Sequence, residues 1–145
     1  MRSFGFAVGL LGILAVGGLG CGSQGNVAPV AGTITLDGAP LEGAAVSFQP
    51  IATDKDSMTV SGMGSYGRTD AQGHYELKMI ETDGEGASVG THRVQVSVAE
   101  EKGGDALTTD KVPARYRGAD SELTFDVPTE GTKTANFDLT TKRKR

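Results

Sequence analysis

The sequence predicts an all-β protein, a seven-stranded sandwich of antiparallel or mixed sheets behind an N-terminal signal segment. Three observations predict it. Apolar and polar residues alternate with a period of two in seven short segments from Val30 onward. Glycine is abundant, at 22 of 145 residues, which suits short strands joined by tight turns better than packed helices. Beyond Leu19 no stretch repeats its apolar residues at helical spacing, and no segment is an internal repeat.

The first element is the signal segment. Arg2 supplies a positive start, and the 16 residues from Phe4 to Leu19 are apolar or glycine. A bilayer core takes about 20 helical residues, and the glycines weaken a helix further. The length fits the apolar region of a secretory signal. The run closes in VGGLGCG, which holds Cys21, the one cysteine. One cysteine makes no internal disulfide, so the domain rests on packing alone. This stretch resembles a bacterial lipoprotein signal, which ends in leucine, a small residue, Gly or Ala, then Cys. Gly20 and Cys21 match, whereas Leu19 stands one place late. The resemblance implies a signal peptide over 1–20 and lipid on Cys21. A buried methylene contributes about 0.8 kcal/mol, so two or more acyl chains anchor stably. Two alternatives stay open: ordinary secretion, and an uncleaved membrane helix. Residues 21–28, with GSQGNVAP in their span, read as a flexible tether.

The sandwich is expected over 29–140. In VAGTITL, Val30, Ile34 and Leu36 share one face, with Gly32 between them. Asp37-Gly38 then signals a tight reversal. AAVSFQP places Ala44, Val46 and Phe48 inward and ends at Pro50. Residues 51–65 lack periodicity and read as a long loop. YGRTDAQGHYELKMI reads as a hairpin turning at Asp70-Ala71-Gln72-Gly73, with Tyr75, Leu77 and Met79 inward. ETDGEGASVG is a further loop. THRVQVSVA then aligns His92, Val94, Val96 and Val98. ELTFDV aligns Leu123, Phe125 and Val127, and TANFDL aligns Ala135, Phe137 and Leu139. Seven strands with one apolar face each bury those faces by packing two sheets together. The residues 141–145 form a basic tail ending in KRKR.

VAGTITLDGAPLEGAAVSFQP, GRTDAQGHYEL and GTHRVQVSV together resemble the carboxypeptidase regulatory-like domain, a transthyretin-like (prealbumin-like) sandwich, with an Ig-like sandwich as the alternative. The resemblance covers Val30 to about Ala99. Its turn residues here are Gly38, Pro40, Gly43, Asp70 and Gly73. Gly38 and Gly43 allow tight turns, Asp70 accepts backbone hydrogen bonds within its own turn, and Gly73 accommodates a positive φ. One departure is His92, where the family usually has an aromatic residue. The whole chain resembles small bacterial lipoproteins built from signal, cysteine and one such domain. In carboxypeptidases this domain is an accessory, so the resemblance implies no peptidase activity.

No enzyme site stands out, and no metal or cofactor is expected. His74 and His92 fall on opposite faces of their strands, one expected at the outer surface and one at a core edge. Asp54 and Asp56 lack a calcium-loop pattern. No G-x-S-x-G elbow is present. LDGAP and YRGA are similar to segments of the transthyretin-like hydrolases that open 5-hydroxyisourate. Ile34 stands where those enzymes carry a histidine, which removes the proton-transfer group. Arg115, Tyr116 and Arg117 are the best recognition candidates, since both residue types are enriched at binding hot spots. The net charge of −4 argues against general nucleic-acid binding. The expectation is a non-catalytic module at the cell envelope, tethered to a membrane through Cys21, with an envelope protein or polysaccharide as partner. A small-ligand binder or carrier of transthyretin type is the alternative function, and secretion is the alternative to the anchor.

Overall fold

The computed structural model describes residues 26–52, 64–100 and 109–142. Its strands are β1 (Val27–Ala28), β2 (Ala31–Leu36), β3 (Ala39–Pro40), β4 (Ala45–Pro50), β5 (Ser65–Arg68), β6 (His74–Glu76), β7 (Lys78–Met79), β8 (Ala87–Ser88), β9 (Gly90–Ser97), β10 (Ala99–Glu100), β11 (Thr109–Asp110), β12 (Leu123–Val127) and β13 (Phe137–Leu139). One 3-10 turn, Ala114–Tyr116, interrupts them.

Period-two alternation produces the longer strands, and β2, β4, β9, β12 and β13 turn inward the face that the pattern marks. The larger sheet has the order β12-β9-β4-β5-β7, every neighbour antiparallel. The smaller sheet centres on β2. It pairs parallel with β13 on one side and antiparallel with β3 and β6 on the other. Ile34 from the smaller sheet meets Val46, Phe48, Val94 and Val96 from the larger, all within 1% exposure. Each such side chain contributes about 1.5–3 kcal/mol by leaving water. Phe48 is the hub. Its ring centroid lies 5.8–6.5 Å from those of His92, Phe125, Phe137 and Tyr75. Tilted and edge-on pairs of this kind suit the aromatic quadrupole.

The β2–β3 hairpin turns on two residues, Asp37 (φ 50) and Gly38 (φ 85), between the paired Leu36 and Ala39. Positive φ at both central positions matches the right-handed strand twist, and Asp-Gly tolerates it. Gly32 serves close approach instead. A Cβ there would lie 2.0 Å from the Ala135 carbonyl oxygen. Tyr75, paired opposite Gly32, donates its hydroxyl to that same oxygen at 2.6 Å. The ring thus covers the bare glycine and ties β6 across β2 to the segment before β13.

Three details depart from the sequence pattern. The strand expected to run unbroken from Tyr75 to Met79 divides at Leu77. β6 pairs with β2 and β7 with β5, so the chain changes sheets there. Alternation persists because both sheets face the same core. Within the segment expected as a tether, Val27–Ala28 pairs with β8, and Ala28 is buried. The loop ETDGEGASVG accordingly contains a short strand. The expected signal peptide, Cys21 and most of the long loop 51–65 lie outside the described residues.

Candidate functional site

Arg115, Tyr116 and Arg117 do not form an exposed patch. The 3-10 turn carries the Tyr116 ring into the core, where it is 8% exposed. The Arg115 guanidinium lies 4.5 Å from that ring centroid and donates to the Thr140 and Lys142 carbonyl oxygens. Arg117 sits 3.7 Å from the Asp110 carboxylate. Arg115 thus pins the end of the described chain to the turn. Residue composition suggested recognition; the structure turns Tyr116 inward and gives Arg115 and Arg117 partners within the chain.

The turn residues do local work. Asp70 Oδ1 accepts from the Gln72 and His74 backbone N–H groups at 2.9 Å each. Gly43 (φ 71) and Gly73 (φ 75) occupy the left-handed region. Pro40 is exposed in β3, opposite Thr35. Thr69, not singled out by the pattern, is buried and accepts from the Ala44 N–H through its hydroxyl at 2.8 Å. It holds the Gly43 turn against β5.

His92 is not at a core edge but fully buried, at 1% exposure. Its Nδ1 lies 2.8 Å from the Gly90 carbonyl oxygen, which can only accept, so Nδ1 carries the proton. Nε2 then accepts from the Ser88 hydroxyl at 3.2 Å. Burial pulls the His92 imidazole below its ordinary value, against the Gly90 bond and the Asp126 carboxylate, which raise it. Ser88 and His92 thus have the spacing of a nucleophile and its base. They are sealed at 7% and 1% exposure, and the orienting group is a backbone carbonyl. This arrangement satisfies buried polar groups and offers a substrate no approach. His74 is half-buried on the outer side, 3.8 Å from Glu76. The two histidines do not converge, and no cluster of three potential metal ligands occurs among the described residues. Asp54 and Asp56 lie outside them.

The outer face of the smaller sheet carries a polar ladder. Thr33 donates to Asn136, and Thr35 donates to Asp138 at 2.7 Å. Asp37 accepts from the hydroxyl and backbone N–H of Thr141 and from the Thr140 hydroxyl. These bonds, led by the Thr141 hydroxyl, hold the Asp37 carboxyl below the usual range. Below that ladder an open groove of about 390 Å³ runs past Ala31, with Glu76, Lys78, Glu85, Glu130 and Lys133 among its lining residues.

The outer face of the larger sheet is flatter and differently furnished. Cross-strand register sets Arg93 opposite both Thr124 and Gln49, and Ser47 between Gln95 and Tyr66. Ala45 lies between Ser97 and Arg68. Tyr66 is 46% exposed, and its hydroxyl is 3.3 Å from Asp83. Arg93 has no carboxylate within ion-pair distance among the described residues, and its shielded Nε finds no acceptor there. No described helix is long and apolar enough to cross a membrane. Comparison with family models, curated proteins and solved structures returns no match for the chain.

Proposed function

We propose that this chain is an exported, lipid-anchored and non-catalytic binding module of the cell envelope. The observation that carries the reading is where the polar groups lie. The serine–histidine pair that the fold brings into contact, Ser88 and His92, is closed off inside the core. Arginine, tyrosine, glutamine and serine side chains are instead spread over a solvent-facing sheet. Such a surface binds without transforming what it binds. The likeness of Val30 to Ala99 to accessory carboxypeptidase regulatory-like domains supports the same role. Lipid on Cys21 would keep the module near its membrane. The five residue steps from Cys21 to Asn26 span at most about 18 Å.

The test is the intact mass and membrane partition of the protein from its native host, beside Cys21→Ala. A mature chain starting at Cys21 with diacylglycerol mass, lost in the variant, is the expected result. A chain cut elsewhere and equally soluble in both versions overturns the anchor. The second reading, a small-ligand carrier, rests on the groove beside Ala31. Its test is saturable binding of a small ligand that Ala31→Trp abolishes.

A further inference from the structure

We propose that the outer face of the five-stranded sheet binds a carboxylate-bearing polysaccharide; this rests on the reading of the chain as a binding module. The argument begins with register. Arg93, Gln95 and Ser97 on β9 alternate outward beside Ala45, Ser47 and Gln49 on β4, and these lie beside Tyr66 and Arg68 on β5. One continuous face results. Arg93 and Arg68 stand two strands apart across the sheet and four residues apart along β4, so their Cα atoms are separated by about 16 Å. Between them lie Ser47, Gln95 and the ring of Tyr66.

The charges on this face are not neutralised. Arg68 donates Nε to the Gly43 carbonyl oxygen at 3.3 Å, and no carboxylate lies within ion-pair distance of it among the described residues. Arg93 likewise has no such partner, and its Nε, shielded from solvent, finds no acceptor among the described residues. Two carboxylates lie nearby without pairing with either arginine: Asp126, two residues along β12 from the Thr124 that faces Arg93 and bound to the Thr91 hydroxyl, and Asp83 beside Lys78 and Tyr66. Two guanidinium groups without anions inside a polar face call for an anionic ligand. The whole chain carries a net −4, so bulk attraction to polyanions does not account for such binding.

The remaining groups favour a sugar polymer over a protein. Protein interfaces are centred on buried apolar and aromatic anchors. Here a single exposed aromatic residue, Tyr66, stands between Ser47 and Lys78 with its hydroxyl on Asp83, and one exposed aliphatic residue, Ile80, lies at the edge near Gln49. A tyrosine ring stacks on the apolar C–H face of a sugar, while amide and hydroxyl groups both donate to and accept from its hydroxyls. Guanidinium groups at either end pair with uronate carboxylates a few sugar residues apart. The separation of the arginines then matches a segment of a few sugar residues.

Affinity electrophoresis of the detergent-solubilised full chain tests this, with polygalacturonate, neutral dextran or polyglutamate cast in the gel. The expected result is retardation by polygalacturonate and by neither of the others. Arg68→Gln and Arg93→Gln should each weaken it about fivefold, the loss of one charge-assisted hydrogen-bonding group. Tyr66→Ala should also weaken it, whereas Lys133→Gln, in the groove, should not. Melting temperatures of the variants establish that they fold. Absence of retardation by polygalacturonate, equal retardation by polyglutamate, or arginine variants that bind as the parent does would each overturn the proposal. The mass of the Cys21 terminus is measured separately. An intact lipid anchor with no polysaccharide binding refutes this inference and leaves the anchored module standing.

Discussion

Replacing Tyr75 by phenylalanine removes one oxygen atom from the core and nothing else. The Tyr75 side chain is 1% exposed, and burial raises its hydroxyl pKa, so the group is a neutral donor at any ordinary pH. It donates to the Ala135 carbonyl oxygen at 2.6 Å, and no backbone N–H among the described residues donates to that oxygen. The substitution therefore loses a hydrogen bond and leaves a buried carbonyl without its donor. A net hydrogen bond is worth about 1 kcal/mol, and an orphaned buried acceptor adds about 1 kcal/mol or more. The expected loss is about 2 kcal/mol, which lowers the melting temperature by about 8 °C in a domain of this size. Urea titration and thermal melting of the full chain measure it. Tyr66→Phe is the control. That hydroxyl meets Asp83 at 3.3 Å on an exposed surface, so its loss should change stability by less than about 0.5 kcal/mol. Equal effects of the two substitutions would refute the reasoning, because they would show that the link across Gly32 carries no energy.

Four other outcomes are expected. Stability of the parent chain should fall as pH drops below about 6.5, because the unfolded chain then protonates His92 while burial keeps the folded imidazole neutral. The slope reaches at most about 1.4 kcal/mol per pH unit until the lowered folded value is passed, and His92→Phe should abolish this contribution in denaturant melts between pH 5 and pH 7, values chosen to bracket the ordinary histidine range. Asp37 titrates in the other sense. Its lowered carboxyl contributes stability above its ordinary value of 3.8 that is lost as pH falls through the folded value, so Asp37→Asn should flatten the acid limb of the same titration. Gly32→Ala should cost about 3 kcal/mol by forcing a Cβ against the Ala135 carbonyl, whereas Gly38→Ala, with open space but φ 85, should cost about 1 kcal/mol in the same melts. Arg115→Ala should speed amide hydrogen exchange at Thr141 and Lys142, since it removes the guanidinium that binds the Thr140 and Lys142 carbonyls.

Side-chain direction was legible wherever alternation ran for four residues or more. Val46 and Phe48, Val94 and Val96, and Phe137 and Leu139 all point inward as their spacing predicts. The Asp37-Gly38 turn was legible for a local reason, since only a few residue types tolerate two successive positive φ angles. The sheet change at Leu77 was not. A period of two reports which face a side chain takes, not which strand its backbone binds, and both sheets face one core. β1 is too short at two residues to show a period, and its burial depends on β8, about 60 residues later.

The candidate sites divide along the same line. Arg115, Tyr116 and Arg117 have the composition of a recognition patch, but composition is blind to the 3-10 turn that buries Tyr116 and gives both arginines partners. Ser88 and His92 meet across Gly90, whose φ of 117 is open to glycine, and no motif announces it. The outward residues of β4, β5 and β9 could be read strand by strand, yet their union into one face depends on the register of long-range pairs. The sequence by itself determined the all-β class, the inward faces and the tight turns, because these follow from local sterics and from apolar groups leaving water. Only the tertiary structure decided which strands share a sheet, which polar groups are sealed and which arginines lack an anion, because those depend on contacts between residues far apart in the chain.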